Sequence, residues 1–171
     1  AWDLGMGDST SIWVAQLVGS EIRLIDYYEN HGVGLDHYVK WIKDNDYTKA
    51  EHILPHDVRV RELGTGKSRM EVAQSLGIGF AMVPNLRVED GINAARMILP
   101  RCWFDQRKTA RLRECLSQYR EKHDDKRGIS LGPLHDWTSH AADAFRYMSL
   151  VANEPMAASQ KPINYTNRYI A

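Results

Sequence analysis

Hydrophobic and polar residues alternate at the start of the chain, where Trp2 and Leu4 stand on either side of Asp3. An alternation of period two is typical of strands whose two faces have different surroundings. This segment and the two apolar segments that follow it are separated by the dipeptides Gly7-Asp8 and Gly19-Ser20, which favour tight turns. The pattern therefore predicts three strands, at residues 2–6, 11–18 and 22–28, joined by two hairpins.

Farther along the chain the apolar residues recur every three or four positions, which indicates amphipathic helices. Ser68 and Glu71 match the capping-box pattern and predict a helix start, while Pro100 predicts a helix end. The predicted helices lie at residues 35–44, 68–77, 89–99, about 105–119 and 138–152, and short apolar runs predict strands ending at residue 54 and spanning 78–83. The charged, glycine-containing residues 121–133 predict an exposed, mobile loop or hairpin.

The order of these elements predicts the fold class. Three strands in series, followed by helix, strand, helix, strand and C-terminal helices, indicate an α/β fold with a mixed sheet of five or more strands flanked by helices. A chain of 171 residues is long enough for one ordinary domain. We expect this domain to span residues 1–152, and the prolines and polar residues of 153–171 predict a loosely ordered C-terminal tail.

Composition limits the ways in which the chain could bind nucleic acid. Lys and Arg number 22 and Asp and Glu number 22, so the formal net charge is zero. A neutral protein does not hold nucleic acid by bulk electrostatics. Residues 101–127 are locally basic, which fits either a solvated helix or a DNA-facing surface.

No apolar run approaches the length of roughly 18 residues that spans a bilayer, so no membrane segment is expected. The spacing of Cys102 and Cys115 fits no zinc motif, so both are expected to be free thiols.

Three aspartates stand where a carboxylate is an awkward choice for structure alone. Asp3 lies in an apolar strand, Asp57 follows the strand ending at Leu54, and Asp143 lies in a helix rich in small and aromatic residues. Converging carboxylates would repel each other unless a cation neutralised them. Hard oxygen ligands of this kind suit Mg²⁺ or Mn²⁺. The structural alternative is that Asp57 begins a turn, a common role for Asp.

His140 lies three residues before Asp143 and so on the same face of the predicted helix. It could bind a metal ion, orient Asp143 or assist proton transfer, or it could be a histidine satisfied near a helix start. Residues 64–68 resemble the end of a phosphate-binding P-loop, but the full motif needs glycine at the position of Arg61. Lys67 and Arg69 remain candidates for contacts with DNA phosphates.

These residues resemble a known family. Three motifs are similar to those of the C-terminal nuclease domain of terminase large subunits from tailed bacteriophages. They are Asp-Leu-Gly at Asp3, Pro-His-Asp ending at Asp57, and Ser-His-Ala-Ala-Asp-Ala-Phe-Arg-Tyr from Ser139 to Tyr147. The resemblance covers residues 1–152 and is most specific in the last motif. It implies a ribonuclease H-like fold in which Asp3, Asp57 and Asp143 meet at one edge of the sheet.

The resemblance also implies an activity. The domain would be a divalent-metal-dependent endodeoxyribonuclease that cuts concatemeric double-stranded viral DNA with little sequence specificity. Two Mg²⁺ or Mn²⁺ ions would serve a two-metal hydrolysis, with Asp3 bridging both ions and Asp57 and Asp143 each completing one site. Implied partners are an ATPase domain earlier in the same chain, a small terminase subunit and the portal protein. The expected location is the cytoplasm of the infected bacterial host, and the sequence is expected to be a fragment of a longer chain.

Three other functions fit parts of the pattern. Resolvases and transposases share the ribonuclease H-like fold, and a preference for branched DNA would identify them. Asp3-Leu4-Gly5 followed by Asp8-Ser9-Thr10 faintly resembles the phosphate loop of actin-like phosphotransferases, which detectable ATP binding would support. A non-catalytic docking module would keep the fold, although docking does not require three aspartates.

Overall fold

The computed structural model describes residues 1–5, 9–59, 66 and 68–152, apart from the side chains of Asp57 and Arg59. The strands are β1 (Trp2–Asp3), β2 (Thr10–Val18), β3 (Glu21–Asn30), β4 (His52–Leu54), β5 (Phe80–Met82), β6 (Cys102–Phe104), β7 (Glu121–Asp124) and β8 (Ile129–Pro133). The helices are α1 (Leu35–Asp44), α2 (Arg69–Ser75), α3 (Val88–Ile98), α4 (Ala110–Gln118) and α5 (Ser139–Ala152), with 3₁₀ turns at His56–Arg59 and Leu99–Arg101. The predicted tail, the Gly7-Asp8 turn and the P-loop-like sequence up to Thr65 lie outside the described residues.

The main sheet is mixed, as predicted, but among the described residues it has four strands and not five or more, because β4 and β5 pair only with each other. Strands β1, β2 and β3 are antiparallel neighbours, and β6 joins the free edge of β3 in parallel, giving the order β1-β2-β3-β6. Strands β4 and β5 form a separate parallel pair, and β7 and β8 form an antiparallel hairpin. This arrangement confirms the α/β class, and residues 121–133 form a hairpin, one of the two forms predicted for them.

Hydrophobic side chains on the two faces of the sheet form two core clusters. Along β2, Ile12 and Trp13 point to opposite faces, as successive strand residues do, and each belongs to a different cluster. On one face Trp13 and Leu24 pack with Phe145 of α5 and other residues of α3 and α4. On the opposite face Trp2 and Ile12 pack with α1 and with residues around β4 and α2. The sheet is therefore covered by helices on both faces.

One strand was missed, and the boundaries of α4 and β5 need correction. Strand β6 was not predicted, because three residues after a proline are too short to show an alternation. Helix α4 begins at Ala110 and not near Asp105, because the Asp105 carboxylate accepts hydrogen bonds from the backbone N–H groups of Arg107 and Lys108 and forms a turn before the helix. Strand β5 is shorter than predicted, since the N–H of Ile78 still donates to the carbonyl of Ala73 in α2.

Among the described residues, no helix is both long enough and apolar enough to cross a membrane.

Candidate active site

Helix α5 carries two of the predicted site residues, and a buried tryptophan fixes it against the sheet. Trp13 of β2 is 2% exposed, and its Nε1–H donates to the carbonyl oxygen of Ala141 over 3.0 Å. Before the helix, the Asp136 carboxylate accepts hydrogen bonds from the backbone N–H and hydroxyl of Thr138 at 2.9 and 2.6 Å, which lower the pKa of Asp136. The first turn of α5 is thereby held next to β1 and β2.

Asp3 and His140 meet across this junction. The Asp3 carboxylate lies at the end of β1, and its Oδ2 is 3.1 Å from Nδ1 of His140. Both side chains are largely enclosed, with exposed fractions of 15% and 14%. The structure thus brings together two residues that are 137 positions apart in the sequence. His140 is in contact with Asp3, which fits a role in metal binding or proton transfer, and its predicted role in orienting Asp143 stays a prediction.

Asp143 lies one helical turn beyond His140 and forms an ion pair with Arg146 over 3.1 Å. Burial raises the pKa of the Asp143 carboxyl, the Arg146 guanidinium opposes that rise, and the negative charge of Asp3 adds to it. Burial is therefore the main cause of the raised pKa, and repulsion between Asp3 and Asp143 is a smaller contribution. A divalent cation between them would relieve this repulsion.

The backbone of Asp57 lies in the 3₁₀ turn that follows β4, and its side chain lies outside the described residues. Its neighbour Val58 is fully buried and belongs to the same core cluster as Trp2, against which Leu4 also packs. Trp2 Nε1–H further donates to Nδ1 of His52 over 3.3 Å, joining the first residues of β1 and β4. Residues adjacent to Asp3 and Asp57 thus share one cluster, although the distance between the two carboxylates stays untested.

The donor set of this region consists of hard oxygen ligands and one imidazole. No group of three His, Cys, Asp or Glu side chains that could hold a metal ion occurs among the residues whose side chains are described. The side chain of Asp57, the third predicted ligand, lies outside the described residues. The enclosed Asp3 carboxylate and the raised pKa of Asp143 nevertheless fit a divalent cation such as Mg²⁺ or Mn²⁺.

The two predicted DNA-binding residues differ in what the structure shows. Lys67 lies outside the described residues. Arg69, the first residue of α2, donates from Nη1 to the carbonyl oxygen of Leu4 over 3.1 Å. Arg69 is therefore next to the end of β1, one residue beyond Asp3. Ser68 caps the same helix, with its side chain accepting from Glu71 N–H and the Glu71 carboxylate accepting from Ser68 N–H, which confirms the predicted capping box.

A polar cleft of about 440 Å³ lies beside His140 and contains residues that were not predicted. The His135 ring lies edge-on to the His140 ring, with centroids 5.4 Å apart. The Arg111 guanidinium lies 4.3 Å from the ring centroid of Trp137 and forms ion pairs with Glu29 and Glu114. In the sequence, the proximity of His135 to His140 was a usable signal. The pairing of Arg111 with Glu29, 82 positions away, has no signal in the sequence.

Comparisons with known proteins bear on the fold of the chain. No protein-family model and no curated protein matches the chain. Among solved structures, the manganese-bound large-terminase nuclease domain of bacteriophage SPP1 superposes with a TM-score of 0.61 at 17% identity, covering 82% of this chain and 77% of that domain. The cobalt-bound large-terminase nuclease of thermophilic phage G20c gives a TM-score of 0.57 at 16% identity, covering 90% of this chain and 78% of that chain.

The large terminase of another thermophilic bacteriophage gives a TM-score of 0.64 at 18% identity. The match covers 86% of this chain and 38% of that protein, so the chain spans well under half of the longer relative. Identities this low establish the fold and not the activity. The chain has the ribonuclease H-like fold of large-terminase nuclease domains, which confirms the predicted fold class.

Proposed function

We propose that this domain is a divalent-metal-dependent endonuclease that cuts double-stranded DNA during viral genome packaging. The observation that carries the proposal is the contact of the enclosed Asp3 carboxylate on β1 with His140 on α5, the helix that also carries Asp143. The negative charge of Asp3 also contributes, after burial, to the raised pKa of the Asp143 carboxyl. Carboxylates in such a place are suited to binding a cation that acts on a phosphodiester.

The proposed metal site consists of Asp3, Asp57 and Asp143, with His140 beside them. Asp3 would bridge two ions, and Asp57 and Asp143 would each complete the coordination of one. The solved nuclease domains with bound manganese and cobalt support divalent-ion chemistry in this fold. The bound ions would lower the pKa of the attacking water and stabilise negative charge on the leaving oxygen.

The chemistry is an in-line hydrolysis. The water oxygen forms a bond to phosphorus, and the bond from phosphorus to the 3′ oxygen breaks, leaving 5′-phosphate and 3′-hydroxyl ends. The attacking water gives up one proton and the 3′ oxygen takes up one. His140, whose Nδ1 lies beside Asp3 Oδ2, is placed to orient that carboxylate or to accept a proton from the water.

The proposal extends to the longer protein of which this domain would be a part. An ATPase motor in the same chain would hold the nuclease on concatemeric DNA, and contacts with a small terminase subunit and a portal protein would position the cut. Because the 171 residues carry no net charge, the domain alone should bind DNA weakly, and attachment to the motor would raise its effective concentration on DNA.

The test is cleavage of supercoiled plasmid by the purified domain in Mn²⁺, Mg²⁺ or EDTA. Wild type is expected to nick and linearise the plasmid only with a metal ion. Asp3→Asn and Asp143→Asn are expected to lower the rate by at least about 100-fold, because each removes a charged metal ligand. Asp57→Asn tests the third predicted ligand in the same way.

Asp44→Asn is the matched control, since Asp44 lies exposed at the end of α1 and pairs with Lys40. It should cleave like wild type. Wild-type rates in Asp3→Asn and Asp143→Asn would refute the proposed site, provided that circular dichroism shows all proteins to be folded. Cleavage confined to branched substrates would instead identify a resolvase-type nuclease.

A further inference from the structure

The ion pair between Asp143 and Arg146 has an unequal geometry. Nε and Nη2 of Arg146 both donate to the same oxygen, Oδ1 of Asp143, at 3.2 and 3.1 Å. Oδ2 of Asp143 takes no part in this ion pair. The Arg146 side chain is 11% exposed, whereas that of Asp143 is 27% exposed. The guanidinium therefore lies on the inner side of the carboxylate and leaves one oxygen available.

A glycine in the neighbouring helix makes room for this arginine. Gly91 lies inside α3, where glycine is less favourable than alanine. A Cβ at Gly91 would lie 2.4 Å from Cγ and 2.7 Å from Cδ of Arg146, closer than carbon atoms approach each other. Gly91 is therefore required for Arg146 to occupy its position beside Asp143.

We propose that Arg146 is an internal counter-cation that weakens the binding of a divalent ion at Asp143, and that Gly91 holds it there. The proposal rests on the proposed metal-dependent function. An arginine is charged at every relevant pH and pairs strongly with a carboxylate. A metal ion approaching the free oxygen of Asp143 meets a half-neutralised ligand and a nearby positive charge, so its affinity is low.

The consequence is a dependence of metal loading on DNA. A phosphodiester brings the negative charge that Arg146 offsets, so the ion at Asp143 is held firmly only when DNA occupies the site. Arg146 acts only through Asp143 and contacts neither the substrate nor the reacting atoms. Without DNA, the domain would carry an incompletely loaded metal site.

The test measures Mn²⁺ binding to the 171-residue protein without DNA, using the electron paramagnetic resonance signal of free Mn²⁺. Arg146→Gln keeps a neutral donor and removes the charge, and should lower the dissociation constant on the order of tenfold, as expected for a unit charge beside a divalent ion at a partly solvated place. Arg146→Lys keeps the charge and should stay within about twofold of wild type. Asp143→Asn should abolish the gain when combined with Arg146→Gln.

Gly91→Ala tests the same idea without changing the arginine. The added methyl group must displace the Arg146 side chain, so Mn²⁺ binding should tighten in this variant too. Gly79→Ala is the matched control, because a Cβ at Gly79 meets no atom within 4 Å, and its Mn²⁺ affinity should equal that of wild type. Thermal unfolding of each variant establishes that it is folded. If Arg146→Gln does not fold, Gly91→Ala alone tests whether Arg146 weakens Mn²⁺ binding.

The outcomes separate this inference from the proposed function. Unchanged or weaker Mn²⁺ binding in folded Arg146→Gln or Gly91→Ala, with wild type binding Mn²⁺, overturns the role of Arg146 and leaves the nuclease proposal standing. Absence of Mn²⁺ binding in every variant overturns the metal site itself, and the inference falls with it.

Discussion

Replacing Trp13 by phenylalanine tests whether one buried side chain holds the candidate site together. Trp13 is 2% exposed, contacts the ring of Phe145 at a centroid distance of 5.1 Å and donates a hydrogen bond to Ala141 in the first turn of α5. The same strand pairs with β1, where Ser11 lies opposite Asp3. Trp13 therefore connects the strand that positions Asp3 to the helix that carries His140 and Asp143.

The expected loss follows from the contacts that phenylalanine cannot make. The missing hydrogen bond costs about 1 kcal/mol net. The smaller ring loses roughly 1 kcal/mol of transfer free energy and leaves a cavity that costs about 1 kcal/mol more. The total is about 3 kcal/mol in the free energy of unfolding, which corresponds to a Tm lower by about 6–12 °C in a protein of this size.

Thermal and urea unfolding in EDTA measure this loss, with Trp103→Phe as the matched control. Trp103 lies on β6 with 63% of its surface exposed, so its replacement should change stability by less than about 0.5 kcal/mol. A loss below about 1 kcal/mol in Trp13→Phe, or equal losses in the two variants, would refute the role given to Trp13. Plasmid cleavage by folded Trp13→Phe should also be slower than by Trp103→Phe.

Two further predictions concern single side chains. Because burial raises the pKa of Asp143 in the folded state, the native protein binds this proton more tightly than the unfolded chain. The stability that Asp143 contributes is therefore full below its unfolded pKa and is lost as pH rises through its folded pKa. Urea unfolding of wild type and Asp143→Asn in EDTA, from acidic to neutral pH, should show this loss in wild type alone. Parallel curves of unfolding free energy against pH for the two proteins would contradict it. Ser68→Ala removes the capping hydrogen bond to Glu71 and should lower stability by about 1 kcal/mol, a Tm change of about 2–4 °C; an unchanged Tm would contradict the contribution of the cap.

The sequence predicted those parts of the fold in which the pattern is local. The strands β2 and β3 and the Ser68 capping box have short-range signals, and all three are found in the structure. Strand β6 escaped prediction because its three residues become a strand only by pairing in parallel with Ile22, Arg23 and Leu24 of β3. Such a pairing joins residues about 80 positions apart and has no local signature.

In the candidate site, too, local features could be predicted from the sequence and long-range packing could not. The choice of Asp3, His140 and Asp143 came from residue type, spacing and resemblance, and the structure places Asp3 against His140. The ion pair of Asp143 with Arg146 has a helical spacing of three and was within reach of the sequence. The need for glycine at position 91 could not be predicted from the sequence, because it depends on how α3 packs against α5.

Helix α5 explains how a repelling carboxylate pair can persist in a folded domain. His140, Asp143 and Arg146 lie on one face of the helix, while Ala144, Phe145 and Met148 belong to the core. A fully buried apolar side chain of this size contributes about 1.5–3 kcal/mol, so the core face holds α5 in place despite the cost of burying a charge near Asp3. The packing of α5 thus positions Asp143 relative to Asp3 on β1, and any change in this packing should alter the proposed metal binding as well as stability.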